Sequence, residues 1–321
     1  MAVYTKVSET EVADFLKSYP LGTLSELTGI RQGVENSNYR LKTSEGRYIL
    51  TLYEKRVKEE DLPFFLNLME HLAARAIPCP VPMKAKDGKA LKQLHDHPTA
   101  IVSFLEGEAT PRITRDECFE LGRALASMHK AVQDFDGYRV NALSLDGWVE
   151  LVKKTSARAD EVFAGLRAVL EQEIKSLKAS WPSDLPQGVI HADLFPDNVF
   201  FKGSSLCGII DFYFACNDFL SYDLAICLNA WCFEHNAAFN ITKAQAMTAG
   251  YQEVRPLSQK EKSALPLLAR GSALRFLLTR LHDWLYPVPG ALVKPKDPLD
   301  YLTRLQFHQR VKDVSAYGIT P

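Results

Sequence analysis

Val189-Ile190-His191-Ala192-Asp193-Leu194-Phe195-Pro196-Asp197-Asn198-Val199-Phe200-Phe201, followed by Gly208-Ile209-Ile210-Asp211-Phe212, decides how the chain is read. Apolar runs on either side of the first segment predict two short buried strands bounding a loop. Within that loop His191, Asp193 and Asn198 stand at the spacing His-x-Asp-x4-Asn, and a second apolar run delivers Asp211 at its end. One carboxylate to receive a hydroxyl proton, with an amide and a second carboxylate to hold magnesium, is the equipment of phosphoryl transfer. At average residue usage the spacing arises by chance in roughly one chain of this length in a hundred. The plain alternative is a polar turn in which Asp193 and Asn198 are turn or cap residues.

The protein-kinase catalytic loop has the form H-R-D-x-x-x-x-N. Here Ala192 stands in place of the arginine, and Asp211 is followed by Phe212 but not by glycine. His-Ala-Asp-Leu-Phe-Pro-Asp-Asn-Val-Phe-Phe, then Ile-Ile-Asp-Phe-Tyr-Phe-Ala, resembles the aminoglycoside-phosphotransferase/choline-kinase superfamily of small-molecule kinases. Within it the wording is similar to the bacterial homoserine kinases of this fold. The likeness runs over nearly the whole chain, strongest over residues 189–228 and weakest around 140–185.

The resemblance implies an α+β, protein-kinase-like fold in two lobes. Residues 1–102 would form an antiparallel β-sheet N-lobe with one main helix, and 103–107 a hinge. Residues 108–321 would form a mainly helical C-lobe, with the catalytic loop at 189–201 and a metal-binding segment at 208–214. ATP and Mg2+ are the implied cofactors, Asp193 the catalytic residue, Asn198 and Asp211 the metal ligands. His191 and Asp223 would be structural support, with Asp223 anchoring the loop. The implied activity is phosphorylation of the side-chain hydroxyl of L-homoserine to O-phospho-L-homoserine in threonine biosynthesis. A kinase of another small alcohol or amino alcohol (choline, ethanolamine or methylthioribose) and a nucleotide-binding pseudokinase are the competing readings.

A length of 321 residues favours two domains or one large one, and 46% apolar residues are enough for a substantial core. A formal net charge of −1 argues against a nucleic-acid or polybasic membrane surface. Six cysteines form no C-x-x-C pair and read as reduced core thiols. The N-terminus lacks an apolar signal region and no 18 apolar residues run together. The expectation is a cytoplasmic protein acting on small molecules, with no membrane, no nucleic acid and no obligate protein partner.

Along the chain, Ser8 and Glu11 make a capping box for a helix over 8–18. Leu24–Ile30, Asn38–Thr43 and Arg47–Tyr53 read as strands. The loop 31–37 between the first two, with Gly33, Asn36 and Ser37, would be a phosphate-covering hairpin. Glu59–Ala76 has helical spacing, and a further hairpin surrounds His95-Asp96-His97, which reads as a polar tip more than a metal site. The hinge would offer backbone groups near Ser103 and Leu105 to an adenine ring. One departure from the superfamily stands out: its usual Lys or Arg on the third strand is here Thr51. The nearest cations are Lys55 and Arg56, and the nearest helix acid is Glu70.

Thr114 and Glu117 cap a helix to about Val132, with His129 near its end, where carbonyls would satisfy it. Leu151–Ala179 reads as one long charged amphipathic helix, and Ser221–Glu234 as a helix with Asp223 in its first turn. Ser258 and Glu261 open another. On it Arg275 and Arg280, five apart, do not share a face. They read either as a surface pair or as the source of one guanidinium that grips a substrate carboxylate.

Overall fold

In the computed structural model, which describes residues 5–30, 36–54, 57–287 and 295–320, Ser8 caps helix α1 (Glu9–Leu16) with the capping box its spacing predicts. The chain divides into two units. The first comprises residues 1–107, 135–137 and 207–213; the second comprises 108–134, 138–206 and 214–321. The segment 103–107, expected as a hinge, and most of the expected metal-binding segment thus group with the first unit.

In the first unit α1 is followed by β1 (Leu24–Gly29), β2 (Ser37–Thr43), β3 (Gly46–Leu52), α2 (Leu62–Ala73), β4 (Leu91–Leu94) and β5 (His97–Ser103). The strands form one antiparallel sheet in the order β1-β2-β3-β5-β4. Period-two alternation decides which face is buried: Tyr39 and Leu41 of β2 turn inward, joined by Leu50, Leu52 and Ile101. Val12 and Leu16 of α1 pack against them, each buried side chain contributing about 2 kcal/mol. The β4–β5 hairpin turns through His95 and Asp96 with φ of 52° and 58°, the left-handed pair such a tight turn demands. His95 meets Glu11 at 2.8 Å, and His97 meets the Tyr53 carbonyl at 3.2 Å. The tip is tied to its own lobe, and among the described residues no cluster of three potential metal ligands exists.

The second unit opens with β6 (Glu108–Ala109), α3 (Arg115–Ala131), α4 (Leu145–Ala159) and α5 (Leu166–Ser180). Next come β7 (Gln187–Ile190), β8 (Val199–Lys202) and β9 (Ser205–Ile209), the last of which runs into the first unit, then β10 (Cys216–Phe219). Helices α6 (Leu220–Trp231), α7 (Ile241–Val254), α8 (Gln259–Leu285) and α9 (Leu299–His308) complete it. Every residue of α6 is buried, so it is the centre of this unit's core. Helices α3 and α7 approach backbone to backbone: a Cβ on Gly122 would lie 2.0 Å from the Met247 carbonyl oxygen. No described helix is long and apolar enough to cross a membrane.

One expectation needs correction. The single helix over 151–179 is two helices, because the chain reverses through Gly165 at φ 84° and Asp160 accepts from the Arg167 N–H at 2.9 Å. Beyond Phe214 the chain forms strand β10, an element the sequence reading does not assign. It pairs antiparallel with β7, Cys216 opposite Ile190 and Phe219 opposite Gln187.

Candidate active site

Strand β7 delivers His191, Ala192 and Asp193 in sequence, and a buried carboxylate fixes the turn. Asp223, in the first turn of α6, accepts from the His191 N–H at 2.7 Å and from the Ala192 N–H at 2.9 Å. Its third partner is His129 Nε2 at 3.2 Å, so that nitrogen carries the proton and His129 Nδ1 accepts from the Tyr251 hydroxyl at 2.8 Å. Burial alone would raise the Asp223 pKa. The hydrogen bonds from His129 and from the His191 N–H carry it below the usual carboxylate value. Asp223 therefore ties the start of α6 to the turn at His191 and Ala192. His129, expected to be satisfied by helix-end carbonyls, instead links α3 to this anchor.

Ala192 takes φ 64°, a left-handed conformation that an alanine adopts only when its surroundings impose it. Three bonds impose it: the N–H on Asp223, the carbonyl accepting from Arg275 Nη1 at 2.5 Å, and the Asp193 N–H on His191 Nδ1 at 3.3 Å. His191 is fully buried and acts as a prop. Beyond the turn, the Leu194 carbonyl accepts from Trp231 Nε1 at 2.8 Å. Asn198 donates its amide to the Asp193 carbonyl at 2.8 Å and faces Asp193 Oδ2 at 3.4 Å. Asp193 is left half-buried, its carboxylate oriented by the amide five residues on.

Asp211 lies in the segment of the first unit that follows β9, also left-handed at φ 66°. That segment is secured by the Ile209 N–H on the Pro78 carbonyl at 2.7 Å and by Tyr213, whose ring meets Tyr53 and Phe65 edge-on. On the nucleotide side, Gly33 falls outside the described residues, as do Lys55 and Arg56. Asn36 and Ser37 are buried. Asn36 Oδ1 accepts from the Glu54 N–H at 3.2 Å, and the Ser37 hydroxyl donates to Glu54 at 2.7 Å. Their side chains close the base of the hairpin, and residues 31–35 of the loop expected to cover phosphate lie outside the described residues. Thr51 donates to Asn38 Oδ1 across the β2–β3 pair at 2.8 Å, so a neutral couple occupies the position of the absent cation, and Glu70 pairs with Lys84. The Ser103 N–H is engaged by the Val81 carbonyl and its hydroxyl by the Val81 N–H, both at 2.9 Å. Ser103 is thus held within the sheet, and half-buried Leu105 lies two residues past the strand end.

Comparison with known proteins fits this geometry. The family model for "Phosphotransferase enzyme family" matches residues 26–257. Homoserine kinase of Rhizobium meliloti is 57% identical over 319 residues, covering 99% of this chain and 98% of that one. Homoserine kinase of Rhodospirillum rubrum is 57% identical over 320 residues, covering both chains completely. The chain belongs to the phosphotransferase enzyme family, among its homoserine kinases. Solved structures of the same fold include an amicoumacin kinase in complex with AMP-PNP, Ca2+ and Ami. It has a TM-score of 0.71 at 14% identity and covers 95% of this chain and 94% of that one. A spectinomycin phosphotransferase in complex with ADP has a TM-score of 0.69 at 17% identity, with 98% of each chain covered. The α+β, protein-kinase-like fold and a phosphotransferase activity on a hydroxyl group are thereby established for this chain.

A phosphotransferase of this kind implies a magnesium ion, and the donor set suits one. Asn198 spends its NH2 on the loop and keeps its Oδ1, and Asp211 carries a carboxylate, each an oxygen ligand of the hard kind that magnesium takes. The two arginines singled out for a substrate carboxylate have other tasks. Arg275 is 1% exposed, stacks 4.5 Å from the Phe276 ring centroid and holds the Ala192 carbonyl from behind. Arg280 donates to the Asp297 carbonyl at 3.0 Å and pairs with Asp300 at 3.2 Å, fastening the start of α9. Sequence reasoning missed Trp231 and Asn229, whose partners lie on distant elements. Asn229 donates to the Ala225 and Ala269 carbonyls and accepts from His308 at 3.1 Å, joining α6, α8 and α9.

Proposed function

We propose that this enzyme transfers the γ-phosphoryl group of ATP to the side-chain hydroxyl of L-homoserine, yielding O-phospho-L-homoserine and ADP in threonine biosynthesis. The observation that carries the chemistry is Asp193, half-buried on a turn locked by Asp223 and Arg275, its carboxylate beside the Asn198 amide. The substrate follows from full-length similarity to homoserine kinases. Asp193 orients the acceptor O–H and takes its proton as the oxygen attacks phosphorus. The bond from phosphorus to the bridging oxygen breaks and ADP departs with the electron pair. Asn198 and Asp211 would hold the ion, which when bound neutralises charge on the phosphates. The adenine ring is assigned to the backbone at Leu105. Both substrates are cytoplasmic metabolites, which puts the reaction in that compartment.

The test is ADP release over homoserine, choline, ethanolamine, methylthioribose and aminoglycosides. Homoserine should be preferred by a wide margin. A different preferred acceptor would replace the substrate, and no turnover of any acceptor with magnesium present would leave a nucleotide-binding pseudokinase.

A further inference from the structure

Arg304, on α9, is half-buried. Its Nη1 donates to the Asn229 carbonyl at 2.8 Å, and its guanidinium carbon lies 4.4 Å from the Tyr301 ring centroid and 5.4 Å from that of Phe233. No carboxylate among the described residues lies within 4.0 Å of it. Arg280, Arg270 and Arg255 are matched with Asp300, Glu173 and Glu261, while Arg275 spends its guanidinium on the Ala192 carbonyl and the Phe276 ring. Arg304, half-exposed with no counter-ion among the described residues and with donors left over after the Asn229 carbonyl, is equipped to receive an anion.

Its place ties it to the catalytic loop. Asn229, which holds it, precedes Trp231 by two residues, and Trp231 holds the Leu194 carbonyl next to Asp193. Tyr301, on which it stacks, lies 5.2 Å from Phe276, and Phe276 meets Phe195, two residues past Asp193, edge-on at 4.9 Å. The Tyr301 hydroxyl is buried and makes no hydrogen bond of ordinary geometry among the described residues. Burial raises its pKa, Arg304 and Arg280 lower it, and Asp193 is near enough for its charge to raise it again.

We propose that Arg304 is a specificity-determining residue that binds the carboxylate of the amino-acid acceptor, with the Tyr301 hydroxyl as a second donor, so that the acceptor's own hydroxyl faces Asp193. This rests on the homoserine-kinase reading. The forked guanidinium suits a carboxylate, and the aromatic platform keeps it pre-organised.

The experiment compares L-homoserine with 3-aminopropan-1-ol, the same amino alcohol without its carboxylate, in the wild type and in Arg304→Gln and Arg304→Lys. Gln retains a donor for the Asn229 carbonyl, and Lys retains the charge without the fork. The wild type should favour homoserine strongly. In Arg304→Gln the KM for homoserine should rise roughly 10- to 150-fold, the worth of one hydrogen bond to a charged group. The kcat/KM for 3-aminopropan-1-ol and the KM for ATP should stay within about twofold, and Arg304→Lys should fall between. An equal loss on both acceptors in either variant, or an unchanged homoserine KM, would overturn the proposal and leave Arg304 a helix-packing residue. A wild type inactive on homoserine would instead remove the reading beneath it.

Discussion

Ala192 carries a methyl group at φ 64°, where that methyl crowds the following carbonyl. The left-handed conformation costs about 1 kcal/mol, while the buried methyl contributes about 0.8 kcal/mol. The two nearly cancel, so Ala192→Gly should leave stability in urea within about 1 kcal/mol of wild type and retain activity. Ala192→Val, β-branched at positive φ, should lose activity and several kcal/mol; a fully active valine variant would show that the turn is not held as described. Asp223 presents the opposite case. Removing it by Asp223→Ala strands two buried N–H groups and His129, which should cost about 3–5 kcal/mol and lower kcat by loosening Asp193. A loss under 1 kcal/mol in urea denaturation would mean the anchor is dispensable.

At the level of strands and helices, the β2–β3 pair sets a prediction through Thr51. Thr51→Val keeps the shape but leaves Asn38 Oδ1 without its donor, costing about 1 kcal/mol, with the KM for ATP unchanged. A tenfold rise in that KM would show that the hydroxyl serves the nucleotide after all. Elements written in adjacent residues were legible in the sequence. The capping boxes at Ser8, Thr114 and Ser258 all form, because each needs only a neighbour three positions away. The turn that joins His191, Asp193 and Asn198 was legible for the same reason, since the three sit in one contiguous stretch. The break before Gly165 was not, because an unbroken charged amphipathic pattern gives no sign of where a glycine reverses the chain. Strand β10 has four residues, two of them polar, too few for alternation to declare itself. Arg304 was missed, and His129 and Arg275 misassigned, because each is defined by a partner dozens of residues away.

Across the whole molecule, acid should act mainly through groups locked in the second unit. His308 is buried in its neutral form, accepting from the Tyr317 hydroxyl at 2.7 Å and donating to Asn229, and burial pushes its pKa from 6.5 to about 3. The unfolded chain takes up that proton near pH 6.5 and the folded one only near 3, so stability is complete above 6.5 and falls as pH drops between the two. The slope should reach about 1.4 kcal/mol per pH unit, with Asp223 adding to the loss below its own unfolded pKa. His308→Gln should flatten this limb in urea titrations between pH 6 and about 4.5, whatever its effect at neutral pH. A limb as steep as the wild type's would assign the acid sensitivity elsewhere. The central claim is tested most directly by phosphorus NMR of the purified protein with ATP, magnesium and L-homoserine, run beside Asp193→Asn. The account predicts a phosphomonoester signal on homoserine growing with ADP in the wild type, and a rate lower by about 100- to 10,000-fold in the variant, which still binds ATP. A homoserine phosphoester formed at the same rate by both proteins would contradict it.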